Sequence, residues 1–227
     1  MCQAQSLRLC YAFFSPKKGT GFFISFIYNK KLIYNGKKMP KLVLPIRAIQ
    51  VINTSIHLFH HHGFHTVGVD RIVKESEIPK ATFYHYFHSK ERFIEICLTV
   101  QKERLKEKVI SIAEYTNHTS AIDKLKTLYF LHTDLEGHYY LLFKAIFETK
   151  LTYAKAYQTA VRYRTWLINE IYSQLRLLKT DLSFQDAKLF LYMIEGAIIQ
   201  LLSSDVPIER EKVLDCFLMG LKIHSSM

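Results

Sequence analysis

Two neighbouring stretches hold most of the side chains whose types and spacing could do chemistry. The first is a histidine cluster: His57, His60, His61, His62, His65, His85 and His88 are seven of the eleven histidines in the chain. His57 and His61 stand i,i+4, a spacing that brings two imidazoles to one helix face and can chelate a metal. No carboxylate or cysteine beside that pair completes a ligand set, so the sequence alone leads to no metal and no cofactor. The histidines then read as a partly cationic helix end, favoured by the C-terminal dipole. The second stretch is Lys80-Ala81-Thr82-Phe83-Tyr84-His85-Tyr86-Phe87. Phe83 and Phe87 lie i,i+4 and can anchor inward, while Lys80, Thr82, Tyr84 and His85 point outward. Lys, Thr and Tyr suit phosphate oxygens, and His reaches a phosphate or a base edge.

Such an octet works only if other elements hold it. Ile49, Ile52, Ile56 and Phe59 recur at helical spacing, and Gly63 stops that helix. A short apolar segment from Val69 to Val73 follows, then the turn Ser76-Glu77-Ile78-Pro79. Pro79 fits the first turn of the next helix, over about 79–86, because its missing N–H would be unpaired there in any case. Ser89 then caps a long helix, with Glu91 well placed for the macrodipole. Short helices with a tight turn between the second and third, followed by a long helix, have helix-turn-helix geometry with the motif at 69–87.

Val51-Ile52-x-Thr54-Ser55-x-x-Leu58-Phe59-x-x-x-Gly63-Phe64, then Val69-x-x-Ile72-Val73, then the run from Pro79 to Phe87 with Ser89-Lys90-Glu91, resembles the DNA-binding domain of the TetR family of transcriptional regulators. The resemblance covers about residues 46–93. It implies that Thr82, Tyr84 and Lys90 grip phosphates while Lys80, Ala81 and His85 lie in or near the major groove. Two positions depart from the pattern. Glu77 stands where the family usually has glycine in the turn, and a left-handed backbone there costs a non-glycine residue roughly 1–2 kcal/mol. Gly68 stands where Ser or Thr commonly caps the second helix, a loss of a few tenths of a kcal/mol.

Beyond this domain the pattern predicts helices near 89–114, 119–133, 137–149, 153–179, 184–203 and 207–224, with polar breaks at Thr116–Thr119, Glu136-Gly137, Lys179–Asp181 and Ser203–Asp205. The expected fold is all-α: an N-terminal three-helix DNA-binding domain over 39–93, then a helical effector-binding and dimerisation domain over 94–227. In this family the C-terminal helices enclose an effector pocket, and Tyr139, Phe143, Phe147, Tyr163 and Trp166 are the candidates to line one for an unidentified small molecule. The segment 189–199 is apolar nearly all round, and Val213, Phe217 and Leu221 form an i,i+4 stripe. Phe190, Met193, Ala197, Phe217 and Leu221 are therefore the expected interface of a homodimer on double-stranded operator DNA.

The formal charge of +11 contributes less than its size suggests. Residues 1–38 supply +7 of it and carry no acid, residues 39–92 supply +3, and the remainder +1. The first 38 residues read as an extension, disordered or upstream of a natural start at Met39. Their longest apolar run, Gly21 to Tyr28, falls well short of the roughly 20 residues a span requires. Cys2, Cys10, Cys97 and Cys216 are far apart, neither a zinc framework nor a disulfide scaffold, which suits the cytoplasm. The absence of a Glu-x-x-His pair, a nucleophile elbow and a glycine-rich phosphate loop argues against an enzyme.

Overall fold

A proline and a glycine bracket the first long helix. Pro45 offers its carbonyl to the Ile49 N–H (3.2 Å), and α1 runs over Ile46–His62 until Gly63 turns the chain at φ +81°. The computed structural model describes residues 33–34, 37–38, 45–114, 120–203 and 210–223. The chain divides into two compact units, Met1–Ile49 and Gln50–Met227. In the first, β1 (Ile33–Tyr34) pairs antiparallel with β2 (Lys37–Lys38), Ile33 opposite Lys38 and Tyr34 opposite Lys37. An all-helical reading of the sequence did not include this two-rung ladder, although Asn-Gly is the dipeptide that two-residue hairpins favour. The other expectations for residues 1–38 lie outside the described residues, as do the breaks expected at 116–119 and 204–205.

In the second unit α1 continues and is followed by α2 (Val69–Glu75), α3 (Lys80–Phe87) and α4 (Lys90–Glu114). Then come α5 (Ala121–His132), α6 (His138–Glu148), α7 (Ala154–Leu178), α8 (Phe184–Ser203) and α9 (Arg210–Ile223). Caps written in the sequence set the boundaries. The Ser89 hydroxyl accepts the Arg92 N–H (3.1 Å) at the start of α4, and Ser120 accepts the Asp123 N–H (3.1 Å) at the start of α5. Before α8, Asp186 accepts the Ser183 N–H (2.7 Å) while Ser183 accepts that of Gln185 (3.2 Å). Each such cap is worth about 1 kcal/mol.

The first four helices of the unit close on an aromatic core. Phe59, Phe64, Phe83, Phe87 and Phe93 are fully buried. Phe93 on α4 meets Phe83 of α3 edge to face and Phe87 at a tilt, with ring centroids 4.9 and 4.4 Å apart. The remainder of α4 leaves this head and packs most extensively on α7 and α6. One helix is thus shared by the head and by the helical body formed by α5–α9.

Candidate nucleic-acid interface

The link between α2 and α3 is a Schellman turn. Ile78 N–H donates to the Val73 carbonyl (3.1 Å) and Glu77 N–H to that of Lys74 (3.3 Å). This closure puts the intervening residue in the left-handed region, and Glu77 is there, at φ 52°. The strain foreseen for a non-glycine residue in the turn is present. Pro79 is the N-cap of α3, with extended backbone, and its carbonyl takes the N–H groups of Thr82 and Phe83.

With Phe83 and Phe87 turned inward, α3 presents Lys80, Ala81, Tyr84 and His85 to solvent, with Thr82 half-buried between them. The exposed row joins an ammonium, a phenol and an imidazole, which could hydrogen-bond to phosphate oxygens and base edges. Lys80 already has a partner: its ammonium lies 2.7 Å from the Asp70 carboxylate of α2, which raises the lysine above its ordinary value. Sequence spacing had not paired these residues, because they lie on different helices. Lys90, half-buried, points elsewhere. Its ammonium donates to the His65 carbonyl (3.4 Å) and stands 5.6 Å from the centre of the Tyr153 ring.

Lys90 thereby belongs to the joint between head and body. At this joint the Glu148 carboxylate of α6 accepts the Phe64 N–H (2.7 Å), and His65 donates to the Glu148 carbonyl. Lys144 donates to the His60 carbonyl (3.0 Å), and His60 Nε2 donates to the Leu135 carbonyl (2.7 Å). Half-burial holds the His60 imidazole below its usual range. A Cβ at Gly63 would stand 2.8 Å from the Glu148 carboxylate, so both backbone conformation and space call for glycine there.

In the body, Tyr139 and Tyr163 are buried, Phe143 nearly so, Trp166 is partly exposed and Phe147 is 67% exposed. Each of the first two belongs to its own polar network. The His132 Nδ1–H donates to the Leu128 carbonyl (2.7 Å), so its Nε2 accepts from the Tyr163 hydroxyl (2.8 Å). Tyr139 donates to Glu195 (3.4 Å), which Arg164 grips with two bonds of 2.6 and 2.9 Å. Burial drives His132 down to about 4. A separate cavity of about 280 Å³ lies among α5, α8 and α9, lined in part by Tyr129, Met193, Gln200, Arg210 and Val213. None of the five aromatic residues singled out for a pocket lines it.

The residues expected to pair two subunits divide. Phe190 and Ala197 are buried within the subunit, Phe190 against the rings of Tyr129 and Phe217. Met193, Phe217 and Leu221 are partly exposed. The outward apolar row on α8 is Leu189, Tyr192, Ile199 and Leu202, each more than half exposed. A helix apolar all round carries no phase in its sequence, so burial of Phe190 and Ala197 within the chain could not be read from it.

Residues 51–96 match the family model described as "Bacterial regulatory proteins, tetR family". The negative transcriptional regulator IcaR of the biofilm operon icaADBC from Staphylococcus aureus (strain Newman) is 26% identical over 141 residues, 62% of this chain and 68% of IcaR. A TetR-family transcriptional regulator from Streptomyces coelicolor superposes with a TM-score of 0.64 at 19% identity, over 78% of this chain and 93% of its own. A transcriptional regulator from Saccharomonospora viridis in complex with choline superposes at 0.66 and 17% identity, over 77% and 95%. Among the described residues, no helix is long and apolar enough to cross a membrane. Helix-turn-helix and family match agree that residues 51–96 are similar to the DNA-binding domain of the TetR family of transcriptional regulators, and the helical body shares the fold of these neighbours.

Proposed function

We propose that the chain acts as a homodimeric repressor that sets α3 of each subunit in the major groove of a pseudo-palindromic operator and is controlled by a small-molecule effector. The observation that carries this reading is the division of α3 between buried Phe83 and Phe87 and exposed Lys80, Ala81, Tyr84 and His85. A helix anchored on one face and carrying donors on the other is what groove entry requires. Two heads held about 34–36 Å apart would meet successive turns of the groove. Repression is favoured because IcaR is a negative regulator.

Dimerisation is supported by the row Leu189, Tyr192, Ile199 and Leu202, with Gly196 among them and nothing within 4 Å of the Cβ it lacks. Such a row can admit a second helix closely. Control by a ligand is supported by the choline bound to the Saccharomonospora viridis regulator. Tyr139, Phe143, Phe147, Tyr163 and Trp166 remain the candidates to contact the effector. The 280 Å³ cavity is the other candidate, close to the lower bound of about 300 Å³ for ligand pockets. An effector acts by binding one head spacing better than the other. The protein would work in the cytoplasm and catalyse nothing.

Fluorescence anisotropy on DNA flanking the gene, at two salt concentrations, tests the reading. Tyr84→Phe and Lys80→Ala should weaken operator binding, with Lys80→Ala lowering the salt slope by about one. Unchanged operator affinity in both variants would overturn it.

A further inference from the structure

We propose that His60, His61 and Glu136 form a binding site for a divalent transition cation of the zinc class, joining α1 to the turn between α5 and α6. One ring nitrogen from each histidine and a carboxylate oxygen of Glu136 all lie within 4.8 Å of one another. The carboxylate that the sequence around the histidines lacks is thus brought in from the body by folding.

The donors are suited to a metal in more than type. A carbonyl only accepts, so the Leu135 oxygen holds His60 with Nε2 protonated (2.7 Å) and leaves the lone pair on Nδ1. Metal-binding imidazoles are commonly oriented by such a bond from the other ring nitrogen. The turn bearing Glu136 is itself held: its N–H donates to the Asp134 carboxylate and that of Gly137 to the Asp134 carbonyl, both at 3.0 Å. Lys144, the neighbouring cation, is directed to the His60 carbonyl and to Glu148. A fourth donor is close, because the His57 ring centre lies 4.4 Å from that of His61 one turn along α1. Water can fill the position otherwise.

Two imidazoles and one carboxylate favour zinc, nickel or cobalt over magnesium or calcium, which prefer all-oxygen shells. Zinc at about 2.0–2.1 Å from each donor holds donors roughly 3.3 Å apart. The present spacing closes to that by rotation of His61 and Glu136, both exposed. A bound cation would fasten the last turn of the first head helix to the body. Its effect on DNA rests on the regulator reading above, whereas the site does not.

The experiment is a calorimetric titration of the full, chelator-stripped chain with zinc chloride. The expected result is one zinc per chain. Glu136→Gln and His61→Ala should each weaken binding by about tenfold or more, with metal-free melting temperatures matching the parent. Cobalt(II) should give a spectrum without a thiolate-to-metal band. No saturable binding below millimolar zinc, unchanged affinity in both variants, or a thiolate band would overturn the site. Anisotropy with and without zinc separates the two readings: operator affinity should shift about fivefold or more on saturation. Zinc binding without any DNA binding would leave the site standing and remove the regulator.

Discussion

The subunit leaves two faces in water that are opposite in chemistry. On α3 the exposed side chains are Lys80, Ala81, Tyr84 and His85, set against a buried pair of phenylalanines. On α8 and α9 they include the apolar Leu189, Tyr192, Ile199, Leu202, Val213 and Met219. The first face is content in water and gains by exchanging hydration for phosphate contacts. The second is costly in water, since each half-exposed apolar side chain forgoes roughly half of the about 1.5–3 kcal/mol that full burial contributes. On the proposed reading, one surface would serve an occasional partner and the other a permanent one, within a single helical scaffold.

The sharpest way to break this contrast is to remove the anchor beneath the polar face. Phe87→Ala should destabilise the head by about 3–5 kcal/mol and abolish operator binding while the oligomer remains. Chemical denaturation and sedimentation check both parts, and a loss of the oligomer would show that the faces are not independent.

The next effect is confined to the body. His132 is fully buried and titrates at about 4 in the fold against an ordinary 6.5. Its folded value is the lower one, so its contribution is complete above pH 6.5 and is lost as pH falls toward 4. The loss amounts to about 3 kcal/mol at most. Melting curves across that window should show a steeper decline for the parent than for His132→Asn.

A charge on the apolar face comes third. Ile199 is 54% exposed in the subunit, so Ile199→Glu should leave the fold intact, yield monomers in sedimentation and reduce operator affinity roughly 100-fold, about 2.7 kcal/mol. A monomeric parent would remove the contrast altogether. The smallest change refines the polar face. Glu77→Gly should stabilise the head by about 1 kcal/mol by relieving the left-handed strain, and it should strengthen DNA binding by removing a negative charge. A thermal melt reading no gain would mean the turn holds no such strain.

Much of this was legible in local sequence. Ser89 and Gly63 marked helix ends, and the expected helix over 184–203 coincides with α8. The left-handed backbone at Glu77 was legible through the resemblance, which puts glycine at that position of the turn. What stayed hidden is what depends on phase or distance. The apolar segment 189–199 satisfies every helical face equally, so Phe190 and Ala197 could not be told from Leu189 and Ile199. Asp70 met Lys80 only when two consecutive helices packed, and Glu136 came beside His60 and His61 only when segments distant in sequence did. Lys90 looked like a free donor because the carbonyl it meets belongs to the loop after α1.

The shared helix α4 has a mechanical consequence. It is 25 residues long, about 37 Å at 1.5 Å per residue, and its first turn carries Phe93 into the head core while the remainder lies in the body. A tilt of roughly 5° about its far end moves the near end by about 3 Å, close to the 3.4 Å rise of one base pair. In the proposed regulator, a ligand that shifted the packing around α6 and α7 would use this lever to move α3 by about one base step.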